Sequence, residues 1–143
     1  MTDRRLRAAS IVLAIAGTAI AAYLTYMHYR GLHPLCLAGG GGCERVQSSS
    51  YARLAGAPVA LIGLIGYLAI LASLAMHAEN ARLATVALTL AGFGFSAYLT
   101  YHEVATIRAI CQWCVGSAVV MTLLAVLSVV RFLRLEGAIA VSA

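Results

Sequence analysis

The stretch AICQWCVGSAVVMTLLAVLSVV, residues 109–130, decides the architecture of this chain. It carries no charge over 22 residues. At a rise of about 1.5 Å per residue, roughly 20 helical residues cross a hydrocarbon layer about 30 Å thick. Inside such a layer no water satisfies the backbone, so the peptide groups must pair within the segment, as in a helix. The continuous apolar run also lacks the alternation of a membrane β-strand. Its head carries Cys111 and Cys114, which puts a thiol pair at the mouth of a membrane helix.

Three further stretches repeat the pattern: residues 8–29, 54–78 and 83–102 are likewise uncharged. Hydrophobic residues make up 62% of the 143, charged residues 10%, and the mean hydropathy is +0.91, which excludes an ordinary soluble domain. The expectation is one all-α integral membrane domain over 1–143, a bundle of four transmembrane helices spanning about 9–28, 57–76, 83–102 and 112–131. Between the first two lies an outer segment with Pro34, the run Gly39 to Gly42, and Gln47-Ser48-Ser49-Ser50. Glycine lacks a Cβ, so this glycine-rich extracytoplasmic loop should be able to change shape.

All ten cationic side chains are arginines. Arg4, Arg5 and Arg7 precede the first span, Arg82 lies in the second connection, and Arg131 and Arg134 follow the fourth span. Arg30, Arg45, Arg53 and Arg108 fall on the opposite side. The positive-inside rule then places both termini in the cytoplasm of a multi-pass protein of the cell membrane, with all four cysteines facing the periplasm or cell exterior. The net charge of +5 reads as topology and anionic-lipid contact, not as a nucleic-acid footprint. A cleaved signal peptide ending at Ala19-Ile20-Ala21 is the rival reading of the N-terminus. Against it, the apolar run continues through Met27, and Ala22-Tyr23-Leu24-Thr25-Tyr26 recurs as Ala97-Tyr98-Leu99-Thr100-Tyr101. In each copy a cysteine, Cys36 or Cys111, follows ten residues after the last tyrosine. That echo is either chance in a low-diversity sequence or a duplicated helix–loop–helix unit.

Two cysteine pairs on one side of a membrane, Cys36 with Cys43 and Cys111 with Cys114, can pass two electrons by disulfide exchange. A thiolate in Cys111-Gln112-Trp113-Cys114 would sit at a helix N-terminus, where the helix dipole and Arg108 favour it. Two static disulfides in a small structural or assembly protein are the competing reading, since an extracytoplasmic face is oxidising. A CxxC bridge, however, closes too small a loop to stabilise much. A zinc site is a third possibility, but the wide spacing of Cys36 and Cys43 does not suit a zinc half-site and no metal is expected. His28, His33, His77 and His102 read as interfacial or loop residues.

The order Gly42-Cys43-Glu44-Arg45-Val46-Gln47-Ser48-Ser49-Ser50-Tyr51-Ala52, then Gly56-Ala57-Pro58, Gly63 and Tyr67, then Tyr98-Leu99 and the final CxxC, resembles the bacterial vitamin K epoxide reductase (VKOR) family in its stand-alone form without a fused thioredoxin domain. The membrane oxidant DsbB is functionally similar, but carries its CxxC in the first outer loop; here the order is reversed. The resemblance implies a membrane thiol:quinone oxidoreductase that reoxidises a separate DsbA-like thioredoxin-fold partner, supports disulfide-bond formation, and uses ubiquinone or menaquinone as electron acceptor. By the same resemblance, Cys111 and Cys114 form the active-site disulfide and Cys36 and Cys43 the loop shuttle disulfide. Cys114 faces the quinone, Cys111 exchanges with Cys43, and Cys36 meets the partner. Ser49 matches a supporting hydroxyl, and Trp113 stands in the quinone neighbourhood. Val59 and Ala118 occupy the places where animal members contact the vitamin through an asparagine and a tyrosine. The same fold acting as a quinone or quinone-epoxide reductase is the alternative direction of flow, and the missing polar contacts weigh against epoxide reduction.

Overall fold

The computed structural model describes residues 2–35, 45–46, 50, 53–54 and 56–142. Cys36, Cys43, Ser49 and the Gly39 to Gly42 run lie outside them.

Helix α1 spans Asp3–Arg30, with Asp3 in the first turn, where a negative charge complements the helix dipole. It stops at Gly31, whose φ of 63° is left-handed; the amides of Gly31 and Leu32 turn back to the carbonyls of His28 and Met27. A short antiparallel ribbon follows, β1 (Arg53–Leu54) with β2 (Ala57–Pro58), in register Arg53 opposite Pro58 and Leu54 opposite Ala57. The all-α reading contained no strand here. Gly56, at φ 85°, permits the turn that pairs them, and Pro58 then serves as N-cap of α2.

Helix α2 spans Val59–Ala75, 17 residues, which at about 1.5 Å each is shorter than a typical hydrocarbon layer. Helix α3 covers Glu79–His102 and runs on into a wide π-type turn, Glu103–Ile107, halted by Arg108 at φ 54°. Helix α4 covers Gln112–Ser142, well past the span end expected near residue 131. By length and composition α1, α3 with its wide turn, and α4 can each cross a membrane, while α2 is a shorter apolar helix.

The helices pack in a ring, α1 on α2 and α4, and α3 on α2 and α4. The core holds Ala14 and Ala21 from α1, Tyr67, Ile70 and Leu74 from α2, and Met121 and Leu124 from α4. Close approach needs glycine most at Gly17, where a Cβ would lie 2.2 Å from the Tyr67 ring; a Cβ on Gly92 would meet the more flexible Met121 side chain at 2.7 Å. Most buried hydroxyls are satisfied within their own helices, as Ser10 to Leu6 O and Thr25 to Ala21 O, or across helices, as Ser73 with Thr85 at 2.7 Å; the buried Ser128 hydroxyl has no partner among the described residues. Val12, Ile65, Val119 and Leu133 face outward, a surface suited to lipid.

Polar contacts sort the bundle into two ends. At one, Arg7 donates to the carbonyls of Leu74 and Ala75, capping the last turn of α2, and meets His77; Arg131 bonds Asp3. At the other end the start of α4, the end of α3 and the stem after α1 converge.

Candidate functional site

The CxxC is built by the entry into α4. Cys111 precedes the helix, and its carbonyl accepts the amide of Val115 at 3.0 Å, closing the first turn that carries Cys114. The Cys111 side chain is wholly buried, packed with Val46, Ile107, Ala109, Trp113 and Cys114. The two cysteines stand as thiols in hydrogen-bond contact with each other. Cys114 also hydrogen-bonds the carboxyl of Glu103, which in addition accepts the backbone amide of Cys111. Glu103 is 4% exposed. The wide turn that begins at this residue is a geometry often found at functional positions. A buried carboxyl touching a thiol can take up and return the thiol proton, which is the requirement for making a thiolate on demand.

Cys114 opens onto a cavity of about 330 Å³ between the four helices. Along α4, Cys114, Ser117, Ala118 and Met121 line it at helical spacing, and α3 contributes Gly92, Phe95, Leu99 and Glu103 in the same manner. Ile20, Leu24, Val59, Gly63 and Gly66 complete a mostly apolar wall. Its size falls within the range of small-molecule pockets, about 300–1,000 Å³. Polar side chains stand at several places on the wall: Glu103 with Cys114, Ser96 and Thr100 of α3, and the Tyr67 hydroxyl, which donates to the Ser117 carbonyl at 3.0 Å and lies 2.8 Å from the Ser117 hydroxyl.

The positions singled out from sequence are distributed as follows. Cys114, Val59 and Ala118 line the cavity; Cys111 lies beside it under Val46. Trp113 points elsewhere: its indole N–H donates to the Leu35 carbonyl at 2.7 Å, and its ring packs on Tyr23 with centroids 4.9 Å apart. The cavity wall is formed by Cys114 and not by Trp113. Cys36, Cys43 and Ser49 fall outside the described residues, but their neighbours do not. Leu35, directly before Cys36, is bonded to Trp113, and Val46, three residues beyond Cys43, packs on Cys111.

Sequence reading missed Glu103 because the uncharged run was taken to end at His102, leaving Glu103 to a loop. The signal was present: Gly92, Phe95, Leu99 and Glu103 continue one helical stripe, and a carboxyl on the inner face of an apolar helix is rarely idle. Tyr67 was noted only as part of a motif, because a tyrosine's partner across a bundle is not visible in the chain.

A model described as the Vitamin K epoxide reductase family matches residues 8–129 of the 143. The chain therefore belongs to that family, and with its long apolar helices it is a membrane protein and an oxidoreductase of the VKOR kind.

Proposed function

From family membership as the premise, we propose that this protein is a thiol:quinone oxidoreductase that withdraws two electrons from a DsbA-like thioredoxin-fold partner and delivers them to a membrane quinone. The observation that carries the reading is the placement of Cys114: it lines an apolar, quinone-sized cavity while touching Cys111 on one side and the Glu103 carboxyl on the other. Val46 packed on Cys111 supports delivery of electrons by Cys43, since three residues reach at most about 10 Å.

In the forward direction the partner's dithiol becomes a disulfide as the loop disulfide Cys36–Cys43 is reduced. Cys43 thiolate then attacks Cys111, forming Cys43–Cys111 and releasing Cys114 as thiolate; Cys36 attacks Cys43, restoring the loop disulfide and releasing Cys111. Glu103 holds the proton exchanged at the Cys114 sulfur, and the Tyr67–Ser117 pair, hydrogen-bonded to each other, fixes the wall against which the ring would lie. The acceptor, ubiquinone or menaquinone, supplies the oxidising equivalent, so the net change is dithiol plus quinone to disulfide plus quinol. The site would lie on the outer face, with both termini and Arg82 in the cytoplasm. By the family resemblance Ser49 is proposed as a supporting hydroxyl near the active site.

The test is turnover of a quinone by the purified protein supplied with a reduced thioredoxin-fold dithiol. One quinol per partner disulfide is expected. Cys114→Ser should abolish it and trap Cys43 with Cys111, so that a protein cleaved between His77 and Arg82 stays joined until reduced, and separates when Cys43→Ala is added. Separation of Cys114→Ser like wild type would mean that the two pairs do not communicate and that the disulfides are static.

A further inference from the structure

The peptide groups of Leu35 are held by two helices at once. The indole N–H of Trp113 donates to its carbonyl at 2.7 Å, and its own N–H donates to the Tyr23 hydroxyl at 3.0 Å. These partners stand 78 and 12 residues away in the chain. The two anchors also support each other, with ring centroids 4.9 Å apart and planes inclined at 48°. Burial of the leucine side chain is not what fixes it, because Leu35 is 65% exposed. The tie is made through the backbone by two aromatic side chains.

Its placement relates it to the chemistry. Trp113 lies between Cys111 and Cys114, and Leu35 is joined by one peptide bond to Cys36, about 3.8 Å between Cα atoms. A hydrogen bond thus connects the interior of one cysteine pair to the threshold of the other. With one end fixed, the search volume of the other shrinks, and the effective concentration of one sulfur at the other rises.

Building on the relay reading, we infer that Trp113 and Tyr23 are positioning residues for exchange between the cysteine pairs: they fix the Leu35 peptide, one residue before Cys36 in the chain, at the mouth of α4. In the step they assist, the Cys111–Cys114 bond breaks as Cys43–Cys111 forms, and Cys43–Cys111 then breaks as Cys36–Cys43 forms. The loop dithiol is oxidised, the CxxC disulfide is reduced, and Cys114 and Cys111 leave as thiolates that take up the two protons given by Cys43 and Cys36.

The experiment needs no quinone. Oxidised full-length protein in mild detergent is mixed with a reduced thioredoxin-fold dithiol and quenched with a mass-tagged maleimide, so that thiols of the loop pair and of the CxxC are timed separately. Trp113→Phe, which keeps a ring but loses the donor, and Tyr23→Phe, which loses the acceptor, should leave loop reduction at the wild-type rate. Each should slow the arrival of electrons at Cys111 and Cys114 about tenfold, equivalent to about 1.4 kcal/mol. In a second arm Cys36 and Cys43 are both replaced by serine and the CxxC is reduced directly by dithiothreitol; there Trp113→Phe should have no effect. Wild-type transfer in both variants, or equal slowing in the dithiothreitol arm, overturns the inference while leaving the relay intact. Electrons that never leave the loop pair in wild-type protein overturn the relay itself and this inference with it.

Discussion

Gly17→Ala is the most direct probe of how the cavity is held. The new Cβ would stand 2.2 Å from Tyr67 Cε1, 2.4 Å from Cζ and 2.6 Å from Cδ1. Carbon atoms pack at about 3.5 Å or more, so the ring would have to retreat by more than about 1 Å. Its retreat is resisted by the tie at its hydroxyl and would intrude on the cavity that it lines. Tyr67 is 1% exposed, and its hydroxyl is tied at 3.0 Å and 2.8 Å to Ser117. Overpacking of this kind costs about 1–3 kcal/mol, and a lost hydrogen bond about 1 kcal/mol more, so the expected destabilisation is about 2–4 kcal/mol. Because Tyr67 and Ser117 both line the cavity, the KM for quinone should rise as well. Thermal unfolding in mild detergent of Gly17→Ala, Tyr67→Ala and the double variant reads the coupling. With the ring removed, Gly17→Ala should cost less than about 0.5 kcal/mol. A Gly17→Ala protein as stable as wild type, or an equal cost in both backgrounds, would refute the account of this contact.

Glu103→Gln keeps the size of the side chain but not its capacity to take a proton; quinone-coupled turnover should fall about 100-fold, and a rate equal to wild type would remove the carboxyl from the mechanism. A membrane-impermeant thiol reagent applied to intact, reduced cells should label both cysteine pairs, whereas labelling of one pair only until the cells are permeabilised would contradict the proposed topology. With Val59 and Ala118 on the cavity wall and the Tyr67 hydroxyl already engaged by Ser117, the site should accept ubiquinone-like and menaquinone-like rings and turn over a quinone epoxide at least about tenfold more slowly; equal rates on quinone and epoxide would defeat this.

Much of the site was legible in one dimension. The spacing of Cys111 and Cys114 at the head of an uncharged run singled out this pair, and the family resemblance singled out Val59 and Ala118; all but Cys111 line one cavity. Glu103 escaped because hydropathy treats a charge as the end of a span. The helix instead continues through a wide turn that brings this carboxyl onto the inner stripe, against Cys114. The family resemblance set Trp113 in the quinone neighbourhood. Consecutive helical residues point about 100° apart, however, and its indole reaches Leu35 while Cys114 faces the cavity.

What the sequence by itself determined is what depends on local composition: helices where the backbone must satisfy itself in an apolar run, and a cysteine pair at a helix mouth. What only the tertiary structure decided are the relations between segments distant along the chain. The Tyr67–Ser117 bond, the space left by Gly17, the tie from Trp113 to Leu35 and the turn of Glu103 toward Cys114 all follow from how the helices lean and rotate against one another. Uniformly apolar helices carry little amphipathic signal to announce which face turns inward, so close packing sets their rotation.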